Sequence, residues 1–212
     1  TKVVFLILPH VHLMDLAGPD QVFLEAIGYD APFELAYCSI SNQVYSSSLM
    51  PFGKLDHYSK ITLHANDFLM IPGAELHYLQ SDEFKSNKKL FEWIRQCYSN
   101  GVNICSICSG AFVLAESGIL NGKKCTTHWK RTSELQALYP ALQVIENVLF
   151  TEDEHVYTSA GIASGIDLAL FLVEQLKDEY FAHKIARELV IYCRRTGGQK
   201  QQSELLGFRN HI

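Results

Sequence analysis

Cys108 is the residue in this chain best placed to do chemistry. It ends the apolar run Val102-Asn103-Ile104-Cys105-Ser106-Ile107, and the helix-forming stretch Gly110-Ala111-Phe112-Val113-Leu114-Ala115 follows two residues later. Ser106 and Gly110 flank it at two residues on either side. Small neighbours at those positions predict a nucleophile elbow, a strained strand-to-helix turn that lifts one side chain clear of a sheet. A thiol at a helix N-terminus is expected to favour its thiolate, because the dipole and free N–H groups stabilise negative charge there.

Three other features stand at the ends of strand-like runs. Gly73, after Met70-Ile71-Pro72, is either a turn glycine or a backbone donor that forms an oxyanion hole with the N–H of Ser109. Asp15, between apolar neighbours in His12-Leu13-Met14-Asp15-Leu16-Ala17-Gly18-Pro19, is either a helix-capping carboxylate or a partner that shares a proton with the Cys108 sulfur. His128, in Cys125-Thr126-Thr127-His128-Trp129, is either the base for the thiol or a histidine that only hydrogen-bonds near the pocket. Cys105 and Cys108 make a lone CxxC, but no second CxxC or HxxxH supplies further zinc ligands. His10 and His12 alternate onto one side, yet no carboxylate or further histidine pairs with them in sequence. The reading therefore expects neither metal nor cofactor.

The elements that must position these residues alternate. Lys2 to Leu8 is a continuous apolar run, as in a strand buried on both faces of a parallel sheet. A loop over Pro9 to Gly18 follows, with a helix starting at Pro19, since proline suits a first helical position. Phe33 to Ile40 and Asp67 to Ile71 are further strands, with a short hairpin between them. Ser81 to Asn100 is helical, and the elbow strand and helix come next. Lys123 to Trp129 is short and β-like, and Lys130 to Leu138 is helical. Leu142 to Thr158 holds two strand-like pieces, and Gly161 to Leu176 and Tyr180 to Cys193 are helices. Such alternation predicts a doubly wound sheet with helices on both faces and active residues at the carboxyl ends of its strands.

The 212 residues suffice for one sizeable domain. A formal charge of −5 leaves no electrostatic footprint for nucleic acid within them. There is neither a membrane-length apolar run nor a signal peptide, so a cytoplasmic protein with reduced thiols is expected, six cysteines notwithstanding.

The motifs Asp15-Leu16-Ala17-Gly18-Pro19, Ile71-Pro72-Gly73, Ile107-Cys108-Ser109-Gly110-Ala111-Phe112, Thr126-Thr127-His128-Trp129 and Thr158-Ser159-Ala160-Gly161 occur in that order, with Gly165-Ile166-Asp167-Leu168-Ala169-Leu170 beyond them. In these the chain resembles the PfpI and Parkinsonism-associated-protein superfamily, similar in fold to class I glutamine amidotransferases. The resemblance implies a flavodoxin-like three-layer α/β/α sandwich over residues 1–195. Ala186-Arg187 leading to Arg195-Thr196-Gly197-Gly198-Gln199 resembles the sensor domains of AraC-type transcriptional regulators. That likeness implies a small-molecule ligand, a homodimer, and residues 196–212 as a linker toward a helix-turn-helix domain absent from this chain, which alone would bind DNA. The other branch it resembles, isocyanide hydratase, implies Cys108 as nucleophile, Asp15 as its acid–base partner, and Gly73 with Ser109 as backbone donors.

Overall fold

In the computed structural model, which describes residues 1–202, the apolar runs become the strands of one central sheet. The elements run β1 (Lys2–Leu6), α1 (Leu13–Gly28), β2 (Glu34–Ser39), β3 (Asp56–His57), β4 (Phe68–Ile71), α2 (Leu76–Leu79), α3 (Asp82–Lys85), α4 (Lys88–Ser99), β5 (Asn103–Ile107) and α5 (Gly110–Ser117). They continue with β6 (Lys124–Cys125), α6 (Thr132–Leu138), β7 (Gln143–Val144), β8 (Phe150–Asp153), β9 (Val156–Ser159), α7 (Ser164–Leu176) and α8 (Glu179–Glu188). Seven strands form the sheet in the order β3-β2-β1-β4-β5-β9-β8, all pairs parallel except β8 with β9. The strands β6 and β7 pair in a small second sheet.

Alternation along each buried strand splits the core into two layers. Val4 and Leu6 face one side, with Ile104 and the inner faces of α4 and α5. Val3 and Phe5 face the other, with Cys105, Ile107 and the apolar stripes of α1, α7 and α8. This is the expected three-layer sandwich, an α/β fold of the flavodoxin type. No helix among the described residues is long and apolar enough to cross a membrane.

Three local expectations change, the briefest being that the helix expected over Tyr180 to Cys193 ends at Glu188. The first helix begins at Leu13, not at Pro19, which lies inside it and is buried. Proline removes one intrahelical bond, to the carbonyl of Asp15, but the Gly18–Pro19 face packs on α7. A Cβ on Gly18 would stand 2.8 Å from Ile166, and one on Gly165 would stand 3.2 Å from the Pro19 ring. Tertiary contact therefore overrides the local signal, and Asp15 sits in the first turn of a helix. The helix expected over Ser81 to Asn100 is divided. The Ser86 hydroxyl donates to the Glu83 carbonyl and the Asn87 amide to the carbonyls of Glu83 and Phe84, closing one short turn before α4 begins.

Candidate active site at the carboxyl ends of four parallel strands

Four neighbouring parallel strands, β1, β4, β5 and β9, each deliver a residue to one spot from the carboxyl end. His12 and Asp15 follow β1, Gly73 follows β4, Cys108 follows β5, and Gly161 follows β9. The sheet order reverses direction at β1, where open α/β sheets place their crevice.

Cys108 has φ = 55°, a left-handed backbone in a side-chain-bearing residue. Such a conformation costs on the order of 1–3 kcal/mol and persists only when its surroundings over-determine it. Here the Cys108 N–H donates to the Ser159 carbonyl at 3.0 Å, and its own carbonyl accepts the Thr127 hydroxyl at 2.7 Å. The small neighbours have steric reasons. A Cβ on Gly110 would lie 2.2 Å from the Ile71 carbonyl oxygen. The Ser109 hydroxyl is tied to the backbone of Ala74, donating to its carbonyl at 2.6 Å and accepting its N–H at 3.0 Å.

The thiol is 7% exposed and opens into a pocket of about 460 Å³ lined by His12, Ala74, Ser109, His128 and Ile162, with Lys130 and Arg131 also on its wall. Burial pushes this thiol well above its ordinary range, and the Asp15 carboxylate beside it pushes further. The Ser109 N–H and the Arg131 guanidinium pull the other way without prevailing. The acidic thiol expected from a helix N-terminus is thus reversed. A helix terminus contributes roughly 0.3–2 kcal/mol, whereas full burial shifts a thiol by up to about 3–5 units.

Asp15 is 0% exposed, and among the described residues its carboxylate is met by the Cys108 thiol, whose hydrogen bond to it helps raise the thiol pKa, and by the His12 ring. The His12 Nδ1 lies 3.4 Å from Asp15 Oδ2. The donor atoms of His12, Asp15 and Cys108 all fall within 4.8 Å of one another. Gly73 and Gly161 cradle this group. A Cβ on Gly73 would stand 2.5 Å from Asp15 Oδ2, and one on Gly161 2.3 Å from the Cys108 Cβ.

His128 lines the same pocket, but its Nδ1 accepts the Lys130 N–H at 3.4 Å, and it is not one of the three clustered residues. Desolvation, and then the charge of Lys130, lower its pKa. His10 turns away and rests against the Tyr78 ring. His12, which had no carboxylate partner in sequence, has one in space three residues on. The spacing of one helix turn was the available signal. Thr127, whose hydroxyl holds the elbow carbonyl, and Gly161 stand in two of the motifs quoted above, but residue type alone assigns neither of them a role.

Residues 194–201 lie against the body. The Gly197 carbonyl accepts the N–H groups of Leu149 at 2.8 Å and Phe150 at 3.3 Å. The Arg195 guanidinium pairs with the buried Asp167 of α7, and Arg194 pairs with Glu174. The Gln201 amide donates to the Thr127 carbonyl at 3.1 Å. A Cβ on Gly197 would meet the Phe150 ring at 2.8 Å. The expected linker 196–212 therefore starts as a docked strap, and its residues 203–212 lie outside the described residues.

Residues 1–175 match the sequence model of the DJ-1/PfpI family. The HTH-type transcriptional regulator CdhR of Pseudomonas aeruginosa is 37% identical over 102 residues, 48% of this chain and 30% of its own length. The chain thus aligns with under a third of that regulator. An isonitrile hydratase from Pseudomonas putida is 30% identical over 175 residues, 81% of this chain and 70% of its own. Among solved structures, an AraC family transcriptional regulator from Pseudomonas putida superposes with a TM-score of 0.74 at 19% identity, covering 89% of this chain and 98% of that one. DJ-1beta of Drosophila melanogaster gives 0.77 at 17% identity, covering 91% and 99%. At these identities the structural likenesses speak for the fold alone.

Proposed function

The chain belongs to the DJ-1/PfpI family, and from that premise we propose that it is the ligand-sensing domain of an AraC-type transcriptional regulator. In this reading a small molecule enters the Cys108 pocket, the domain works as a homodimer, and DNA is reached only through a helix-turn-helix domain outside these residues. One observation carries it. The Arg195-Thr196-Gly197-Gly198-Gln199 segment is seated on β8, and Gln201 beyond it grips the carbonyl of Thr127, the residue whose hydroxyl holds the Cys108 carbonyl. The elbow and the strap are thus both hydrogen-bonded to Thr127. A ligand that binds more tightly to one strap position than the other would shift the strap, and the coupling is reciprocal.

Reciprocity supplies the test. Gly197→Val cannot seat against Phe150 and should release the strap, raising hydrogen exchange at Leu149 and Phe150. The same substitution should change the alkylation rate of Cys108 by at least about fivefold, the lower end of ordinary coupling energies. An unchanged rate in a variant whose strap has demonstrably come loose removes the support for this reading.

A second reading is favoured by the buried carboxylate of Asp15 beside the sulfur. Cys108 would add to the terminal carbon of an isonitrile, with Asp15 carrying the thiol proton to that carbon, to give a thioimidate. Water would then add, and the thiol would leave with an N-substituted formamide as product. Gly73 and Ser109 would supply backbone donors. Purified protein and Cys108→Ala should then differ in turnover of a simple alkyl isonitrile; matched background rates reject catalysis.

A further inference from the structure

One tight segment between β6 and α6 supplies the Cys108 pocket with three nitrogen-bearing side chains. His128 caps a single 3₁₀ turn, Trp129–Arg131, and His128, Lys130 and Arg131 all line the cavity. Neither reading above gives Lys130 or Arg131 a role. We propose that the ligand of this pocket is a small organic monocarboxylate, its head on the Arg131 guanidinium and the His128 ring, its apolar body against Leu76 and Ile162. This ligand class rests on the reading of the Cys108 pocket as a small-molecule site.

The guanidinium is held in place before any ligand arrives. Arg131 Nη1 donates to Glu134 Oε2 at 3.0 Å, in the first turn of α6, and the Gln80 amide donates to the other oxygen of that carboxylate at 2.9 Å. Glu134, gripped from both sides, steadies Arg131 in turn. Among the described residues the fork makes no other side-chain hydrogen bond. A guanidinium carries five N–H donors in one rigid plane, so several remain for a second carboxylate, which it can take bidentately.

His128 supplies a neutral donor beside it. Its Nδ1 accepts the Lys130 N–H at 3.4 Å, which puts the ring proton on Nε2. Desolvation lowers its pKa, and Lys130, Arg131 and His12 lower it further against the pull of Asp15, so the ring is uncharged near neutral pH. Those cations act on His128 because their charges converge on one space, and an anion there relieves the repulsion. The Lys130 ammonium lies 5.2 Å from the centre of the Trp129 ring, an attraction that holds it beside the indole. The charge balance suits one negative charge on the ligand. Glu75 also lines the cavity, and Glu134 already offsets part of Arg131, which leaves no excess for a dianionic phosphate head. Leu76 and Ile162, the latter 45% exposed, add apolar surface to the same wall. At about 460 Å³ the cavity falls in the range that takes small organic ligands, roughly 300–1,000 Å³.

Hexanoate, hexanamide, hexylammonium and hexyl phosphate share one apolar chain and differ only in the head. Each is titrated against alkylation of Cys108 by iodoacetamide at about pH 8, where the phosphate head is dianionic, with peptide mapping to read that thiol alone. Comparing half-protecting concentrations within one protein cancels any change in the reactivity of the sulfur itself. Hexanoate should half-protect at a concentration at least about tenfold below those of the other three, the scale of hydrogen bonds between charged groups. Arg131→Gln, at a side chain 49% exposed, should erase that advantage and leave hexanamide where it was, whereas Arg131→Lys should keep part of it. The proposal is overturned if the amide, ammonium or phosphate protects as well as hexanoate, if none of the four protects, or if Arg131→Gln keeps the full preference. Each of these failures strikes the ligand class; the sensing role is judged apart from it, by strap release in Gly197→Val, which involves no ligand.

Discussion

Gly161→Ala is expected to destabilise the protein by about 3 kcal/mol. Gly161 has φ = 63°, where an added Cβ costs roughly 1–2 kcal/mol. That Cβ would also lie 2.3 Å from the Cys108 Cβ and 2.9 Å from Asp15 Oδ1, and overpacking of this kind adds about 1–3 kcal/mol. For a chain of this length the sum corresponds to a fall in Tm of roughly 6–12 °C. Gly28→Ala is the matched control: among the described residues nothing lies within 4 Å of its added Cβ, and its φ is not positive. The control should be neutral or stabilising by about 0.5–1 kcal/mol. Thermal melts of the pair decide the matter. A Gly161→Ala protein that melts with the wild type would mean that β9 does not press on the elbow, and that Cys108 and Asp15 are free to separate.

The elbow was legible in the sequence because its demands are local. Ser106 and Gly110 sit in the same dozen residues as Cys108, and close backbone approach leaves a compositional mark that needs no knowledge of the partner. The strand runs were legible for a similar reason, since burial on both faces writes itself as Lys2 to Leu8 and Asp67 to Ile71. What failed was non-local. Pro19 carries a strong local message about helix starts, and only the packing of α1 on α7 reveals that it lies six residues into a helix already begun. That error moved Asp15 into a loop and hid its pairing with His12 across one turn.

The strap shows the same limit from the other side. Its glycines and polar residues looked like a linker, yet Arg195 answers Asp167, 28 residues back, and Gly197 answers Phe150. No window of sequence contains both partners. The protonation of Cys108 was misjudged because sequence reveals the helix that follows the sulfur but not the burial of the sulfur itself, which is the larger effect.

That reversal leads to the second large expected effect, in Asp15→Asn. Burial is the first cause of the raised Cys108 pKa, and the Asp15 charge is the second. Asparagine keeps the shape and removes the charge, so the folded-state thiol pKa should fall while remaining above that of a free cysteine. At neutral pH a thiol titrating far above the solution value gains thiolate in proportion to each unit of the fall, about tenfold per unit. Alkylation of Cys108 by iodoacetamide should therefore accelerate on the order of three- to tenfold, with its pH profile displaced to lower pH. Peptide mapping separates this site from the other thiols: Cys38, Cys97 and Cys125 are held near 12 by burial, Cys105 is buried in the core, and Cys193 is exposed. Catalysis would respond in the opposite direction. If Asp15 carries the proton between sulfur and isonitrile carbon, Asp15→Asn should make the thiol faster toward an alkylating agent yet slower in turnover by about a hundredfold or more, the contribution of a positioned acid–base group. Parallel changes in the two rates would instead reduce Asp15 to a source of charge. A slower alkylation in the variant would contradict the electrostatic account of this site, because the Asp15 charge is the largest electrostatic contribution to the upward shift at this sulfur.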